Sequence, residues 1–271
     1  MREQKLNSMA ERSPSLFGMG PEEDLFSDFT IHPDDMEFEL VDIGSSRWLD
    51  YISVISSHLI SRSVPGRIVQ FAVFEKNTKK IVGFIRLGSP VINCKPRNEM
   101  LGQVFTQIDG GAQMFNRCAI MGFVIVPAQP FGYNYLGGKL LAAICCSHQV
   151  KKLLDKKYNM ETCLFETTSL YGSTKQVSQY DGMKPLIRYQ GLTDSDFLPM
   201  MHGKPYEDLK NFVEDKVGKI VDDNISSRKL KISMKIISLT RSALKDSPKL
   251  EKFEQIISNA KNLTEQKRYY Y

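Results

Sequence analysis

Met114-Phe-Asn-Arg-Cys-Ala-Ile-Met-Gly-Phe-Val-Ile-Val-Pro127 runs directly into Ala128-Gln-Pro-Phe-Gly-Tyr-Asn-Tyr-Leu-Gly137-Gly-Lys-Leu-Leu141. The first part is an apolar run of strand length that stops at Pro127, a residue with no N–H for a sheet ladder. A loop rich in Pro, Gly and Asn follows, and Gly137-Gly138 opens a helix of small residues. The free N–H groups of a first helical turn point into the loop before it, so this order predicts an anion seat. A nucleoside-triphosphate loop needs Gly, four residues, then Gly-Lys-Ser/Thr. Counted back from Gly138-Lys139, that Gly falls on Tyr133, and Leu140 follows the lysine. Triphosphate binding is thereby excluded. A pyrophosphate cradle and a tight turn using glycine for positive φ both stay open.

Working outward, a helix from Gly138 to about Lys157 leads to a strand, Thr162-Cys-Leu-Phe-Glu-Thr167. A loop rich in Ser, Gly, Thr and Tyr, Thr168 to Lys184, precedes a last short strand, Pro185 to Gln190. Upstream, Arg67–Glu75 and Ile81–Leu87 flank a polar turn and read as a hairpin. Phe38–Ile43 alternates as a first strand. Ser45-Ser46 then caps a helix from Arg47 to Leu59, with Trp48, Leu49, Ile52 and Ile55 on its core face. This alternation predicts a mixed α/β (α+β) layer structure. Residues 1–35 carry Pro14, Pro21 and Pro33 and read as a mobile arm with a helical turn near Glu22–Phe26. Residues 36–203 make the α/β domain, and 204–271 a basic helical C-terminal extension.

Hydrophobic residues make up 42% of the chain, enough for a core, yet no apolar run reaches the length of a membrane span. Met1–Asn7 is polar and lacks the apolar centre of a secretory signal. The five cysteines are odd in number, two are adjacent, and none has zinc-site spacing. Reduced thiols in a cytoplasmic protein, with no metal, fit that pattern. The net charge of +5 equals the excess from Lys204 onward, where 15 Lys/Arg face 10 Asp/Glu. No acidic residue stands between Asn224 and Lys245, while Arg228, Lys229, Lys231 and Lys235 interleave with Ile232, Met234 and Ile236. That segment is either the solvated face of a helix or a nucleic-acid contact. The closing Tyr269-Tyr270-Tyr271 could stack on bases. His58, Arg62 and Arg67 before the hairpin are either a phosphate grip or a solvated basic turn. Glu166 would act as a general base and Tyr180 as an acid if they converge on one site.

Three stretches resemble the Mom and DruA group of phage and anti-phage proteins, whose fold is GNAT-like, that of the N-acetyltransferases. They are His58, Arg62, Pro65-Gly66 and Gln70-Phe71; Asn116-Arg117 with Phe123–Pro127 and Leu136–Leu141; and Phe165-Glu166-Thr167 with Tyr180 and Tyr189-Gln-Gly191-Leu-Thr193. The resemblance implies a mixed sheet split at a central strand, with acetyl-CoA or another acyl-CoA at Gln129, Gly132, Asn134, Gly137, Gly138 and Lys139. It implies an acyltransferase acting on nucleic acid, with DNA base modification in the Mom type. Glu166, Tyr180 and Arg117 would then serve the chemistry. Two departures, Ser169-Leu170-Tyr171 in place of an Asp and Asn134 in place of a second small residue, motivate an alternative. In it, the fold survives as a nucleic-acid-binding module without catalysis. A third reading is an N-acetyltransferase for a small amine or protein.

Overall fold

The strands are β1 (Phe38–Val41), β2 (Ile68–Glu75), β3 (Lys80–Gly88), β4 (Ala119–Pro127), β5 (Leu164–Ser169), β6 (Tyr189–Leu192) and β7 (Arg268–Tyr270). In the computed structural model they join one mixed sheet in the order β1-β2-β3-β4-β5-β7-β6. The structure describes residues 6–7, 9–10, 24–56, 60, 66–169, 178, 180–193, 201, 203–221, 228–262 and 267–271. Strands β4 and β5 run parallel, and the other strand pairs are antiparallel.

The pleat sends alternate side chains to opposite faces. Val69, Phe71 and Val73 of β2 join Val82, Ile120 and Ile125 in the larger core. Helices α5 (Gly137–Cys145) and α6 (His148–Tyr158) cover it through Leu141, Ala142, Val150 and Leu154. On the other face, α1 (Ser45–Ile55) packs Trp48, Tyr51 and Ile52 against Ala72, Phe84 and Val124. Gly83 lets α5 approach β3: an added Cβ would lie 2.5 Å from Leu141 Cδ1 and 2.8 Å from the Val126 carbonyl. Gly83→Ala is therefore expected to cost about 1–3 kcal/mol by overpacking, read as a lowered urea midpoint with unchanged slope.

The chain divides into two units, one of Met1–Thr193 with Lys267–Tyr271 and one of Asp194–Gln266. The second contains α7 (Gly203–Val217), α8 (Arg228–Ala243) and α9 (Lys249–Asn262). Its own small core joins Tyr206, Ile232 and Ile236 with Val213, Ile220 and Val221.

Several expected boundaries move. Residues 24–31 are not a mobile arm: Phe26 is buried against Phe131 and Tyr135, and its N–H donates to the Ile81 carbonyl at 2.9 Å. Met114–Cys118 belongs to a helix, α3 (Gly111–Cys118), and the apolar strand starts only at Ala119. The single helix expected over 138–157 breaks at Ser147, whose hydroxyl accepts the Val150 N–H and starts α6. The first helix begins after Gly44 without a serine cap and ends at Ile55. The strand expected over 185–190 is Tyr189–Leu192. The 204–271 segment is not helical throughout, because Arg268–Tyr270 enters the sheet between β5 and β6.

Candidate functional site

Strands β4 and β5 pair from Ala119↔Leu164 to Gly122↔Thr167, and among the described residues the pairing stops there. Beyond that point β5 turns to β7, through Thr167↔Tyr270 and Thr168↔Tyr269, while β4 continues to Pro127 along β3. Two features sit at the divergence. Phe123 is an extra residue in β4, since Gly122 faces Leu87 and Val124 faces Arg86. The Thr167 hydroxyl donates to the Gly122 carbonyl at 2.9 Å, satisfying it where the ladder ends.

The loop after β4 reaches α5 through one helical turn, α4 (Phe131–Asn134). That turn consumes most loop amides. Gly132 N–H donates to the Ala128 carbonyl, Tyr133 N–H to Pro130 and to Gln129 Oε1, Asn134 N–H to Pro130, and Tyr135 N–H to Phe131. Gln129 and Asn134 are exposed and shape the turn. Gly137 is buried, and a Cβ there would sit 2.9 Å from the Phe131 ring. The Lys139 N–H donates to the Leu136 carbonyl at 2.9 Å, so the first-turn amides of α5 left for an anion are those of Gly137 and Gly138. The Lys139 ammonium lies 3.6 Å from where a Gly182 Cβ would be, so it reaches the Tyr180–Gly182 turn.

Glu166 lies on the opposite face. Its carboxylate accepts from Arg97 Nη1 at 3.0 and 3.3 Å and from the Tyr269 hydroxyl at 2.7 Å. Arg97, in α2 (Lys95–Leu101), is 0% exposed and Glu166 1%. Arg97 also donates to the Val91 and Ile92 carbonyls, and its guanidinium lies 4.3 Å over the Phe115 ring. Burial raises the Glu166 carboxyl above its ordinary pKa, against the opposing pull of Arg97 and Tyr269. Tyr180 is buried edge-on against Tyr270, whose hydroxyl donates to Asp181 at 2.8 Å. Tyr269 and Tyr270 are consecutive strand residues and point to opposite faces. Glu166 and Tyr180 therefore do not converge, and the base–acid pair expected from the sequence is corrected. Burial pushes Asp181 up, but the Ser178 N–H, Tyr270 and Arg268 outweigh it and hold its carboxyl below its ordinary value.

Arg117 is exposed at the end of α3, before β4 begins. The nine residues of β4 separate it from the loop by roughly 25–30 Å. Arg67 is at the same end as Arg117: it donates to the Asn116 carbonyl and lies over the Tyr158 ring, and burial lowers its pKa. His58 and Arg62 lie outside the described residues. In the second unit, Lys231 and Lys235 are exposed on α8, opposite buried Ile232, Ser233, Ile236 and Ile237. Arg228 and Lys229 are half-buried, with Lys229 over the Tyr206 ring. Arg241 pairs with Glu254.

The residues missed from the sequence are Arg97, Asp181 and Arg268, while Tyr269 stands out there only as a base-stacking candidate. Arg97 stands in a stretch without periodicity, and its carboxylate partner is remote in sequence. Asp181, in Tyr180-Asp-Gly182, looks in the sequence like ordinary loop polarity. Among the described residues, no cluster of three or more His, Cys, Asp or Glu is arranged to hold a metal ion. No helix among them is long and apolar enough to cross a membrane.

A family model described as Druantia protein DruA matches residues 30–182, more than half of the chain. That span runs from before β1 through β5 to the Tyr180–Gly182 turn. No curated protein matches the chain, and no solved structure does.

Proposed function

The chain belongs to the DruA family of anti-phage proteins, and from that premise we propose that it is a phage-defence protein of GNAT-like fold that holds an acyl-CoA and acts on nucleic acid. The observation that carries this reading is the parting of β4 and β5 after Gly122↔Thr167, beside the loop that feeds α5. A sheet split at its central strand is what the resemblance calls for. The bulge at Phe123, on the β3 side of β4, bends the strand at the point where β5 parts from it.

Gly137 and Gly138 would offer first-turn amides to the pyrophosphate, and Lys139 a point charge. The acyl-CoA, when bound, supplies an activated thioester. Tyr180 is the proton-donating candidate, because the Tyr180–Gly182 turn and Lys139 come together. Glu166 acts as a positioning residue instead: it ties β5 to α2 and β7. A base worked on in this cleft would have to leave its stack. Mass spectrometry of nucleosides from cells making the protein should reveal an added acyl-derived mass on DNA or RNA. Lys139→Glu and Tyr180→Phe should remove it. Nucleosides identical with and without the wild-type protein would contradict the reading.

A second reading is favoured by the Glu166 oxygens and the loop amides being taken up internally: a binding module without catalysis. It would touch DNA through the exposed α8 face with Lys231 and Lys235. Each phosphate that a variant no longer neutralises flattens the plot of log affinity against log salt by about 0.9. Replacing both lysines with alanine should reduce that slope by about 2 in a DNA-binding titration. A slope equal to wild type would exclude this face. Acetyl transfer to simple amines without nucleic acid would instead support an amine acetyltransferase.

A further inference from the structure

Cys118 ends α3 and Cys163 precedes β5, so they stand side by side one residue before the β4–β5 ladder opens at Ala119↔Leu164. The Cys163 N–H donates to the Cys118 carbonyl at 2.8 Å, which holds the two residues together just before the ladder begins. The adjoining residues Ala119 and Leu164 are partners on strands roughly 4.8 Å apart, and disulfides span Cα separations of roughly 4.4–6.8 Å. The two thiols are close enough for each to influence the other's charge. Cys163 is exposed and Cys118 half-buried, so a small reagent reaches the pair.

We propose that Cys118 and Cys163 form a dithiol site that a small disulfide converts to a protein disulfide, stapling the base of the β4–β5 pair at the end opposite the split. The site is independent of the acyl-CoA reading. In the first step the Cys163 thiolate attacks the small disulfide, forming a mixed disulfide and releasing one thiolate. The Cys118 thiolate then attacks the Cys163 sulfur and releases the second. Two protein thiols are oxidised, one small disulfide is reduced to two thiols, and the two protein protons end on the released thiolates. Burial and the neighbouring Cys118 raise the Cys163 pKa, while Lys151 draws it down, so the first step is slow. The second is fast, because the attacking sulfur is held beside its target.

The competing partners are Cys145 and Cys146, which line one cavity of about 360 Å³ with Cys163. Burial pushes the Cys146 thiol up to about 11 and raises Cys145 well above its ordinary value, so both are poor nucleophiles. Tryptic peptides separate all the cases, since Cys118–Lys139 and Tyr158–Lys175 carry one cysteine each and Leu140–Lys151 carries the adjacent pair. The full chain is incubated with oxidised glutathione, alkylated and digested. The expected product joins the first two peptides, two hydrogens lighter than their sum, and disappears on reduction. In Cys118→Ser a glutathione adduct should persist on Cys163. A lasting glutathione adduct on wild-type Cys163, a link to Cys145 or Cys146, or no reaction at all would each overturn the proposal.

Discussion

Arg97→Met is expected to destabilise the protein by about 3–5 kcal/mol, because removing one partner of a buried ion pair strands the other. Glu166, 1% exposed, would keep only the Tyr269 hydroxyl, and the Val91 and Ile92 carbonyls would lose their donor. The pH dependence has a definite sign. The folded-state pKa of Glu166 lies above its ordinary 4.5, so its contribution to stability is fully present below that value and is lost as pH rises through the folded value. Without Arg97 nothing but Tyr269 opposes the rise, and the loss on raising pH grows. Acidification also neutralises the wild-type carboxylate and leaves Arg97 buried without its counter-charge. For both reasons the gap between variant and wild type should narrow from about pH 7 to about pH 4. Urea denaturation at the two pH values measures it. An equal gap at both would show that the ion pair is not what Arg97 supplies.

Tyr269→Ala should rank beside it. The ring is 0% exposed in the strand that separates β5 from β6, and its hydroxyl completes the Glu166 site. Truncating a buried aromatic costs about 3–5 kcal/mol. Tyr269→Phe keeps the packing and removes one hydrogen bond to a charged group, about 1.5–3 kcal/mol. Thermal denaturation of the pair therefore separates packing from hydrogen bonding. Indistinguishable variants would mean that the hydroxyl carries all of the effect.

The middle of the sheet was legible because its signals are local. Alternation over 67–87 marks the β2–β3 hairpin, and the apolar run ending at Pro127 marks β4. The glycine loop was legible as a strand-to-helix passage, but not the helical turn that takes up its amides, since Phe131–Asn134 carries no periodic pattern of its own. Strand β7 was hidden for a different reason. Its partners in β5 and β6 lie on the far side of the 194–266 unit in sequence, and pairing at such separation leaves no pattern in the strand itself. Tyr269 and Tyr270 look in the sequence like tail aromatics for stacking on bases. They are instead interior residues that hold Glu166 and Asp181 on opposite faces. Only that alternation explains why Glu166 and Tyr180, both of a residue type suited to proton transfer, fail to meet.

The β4–β5 split and the first turn of α5 are the proposed seat of an acyl-CoA. Titration calorimetry with acetyl-CoA on the full chain tests it directly. The expected result is saturable binding at one site per chain, weakened at least about tenfold by Lys139→Glu, since reversing one charge at a phosphate contact costs more than about 1.4 kcal/mol. Binding unchanged by that substitution would contradict the claim, as would no heat at all from a folded wild-type protein.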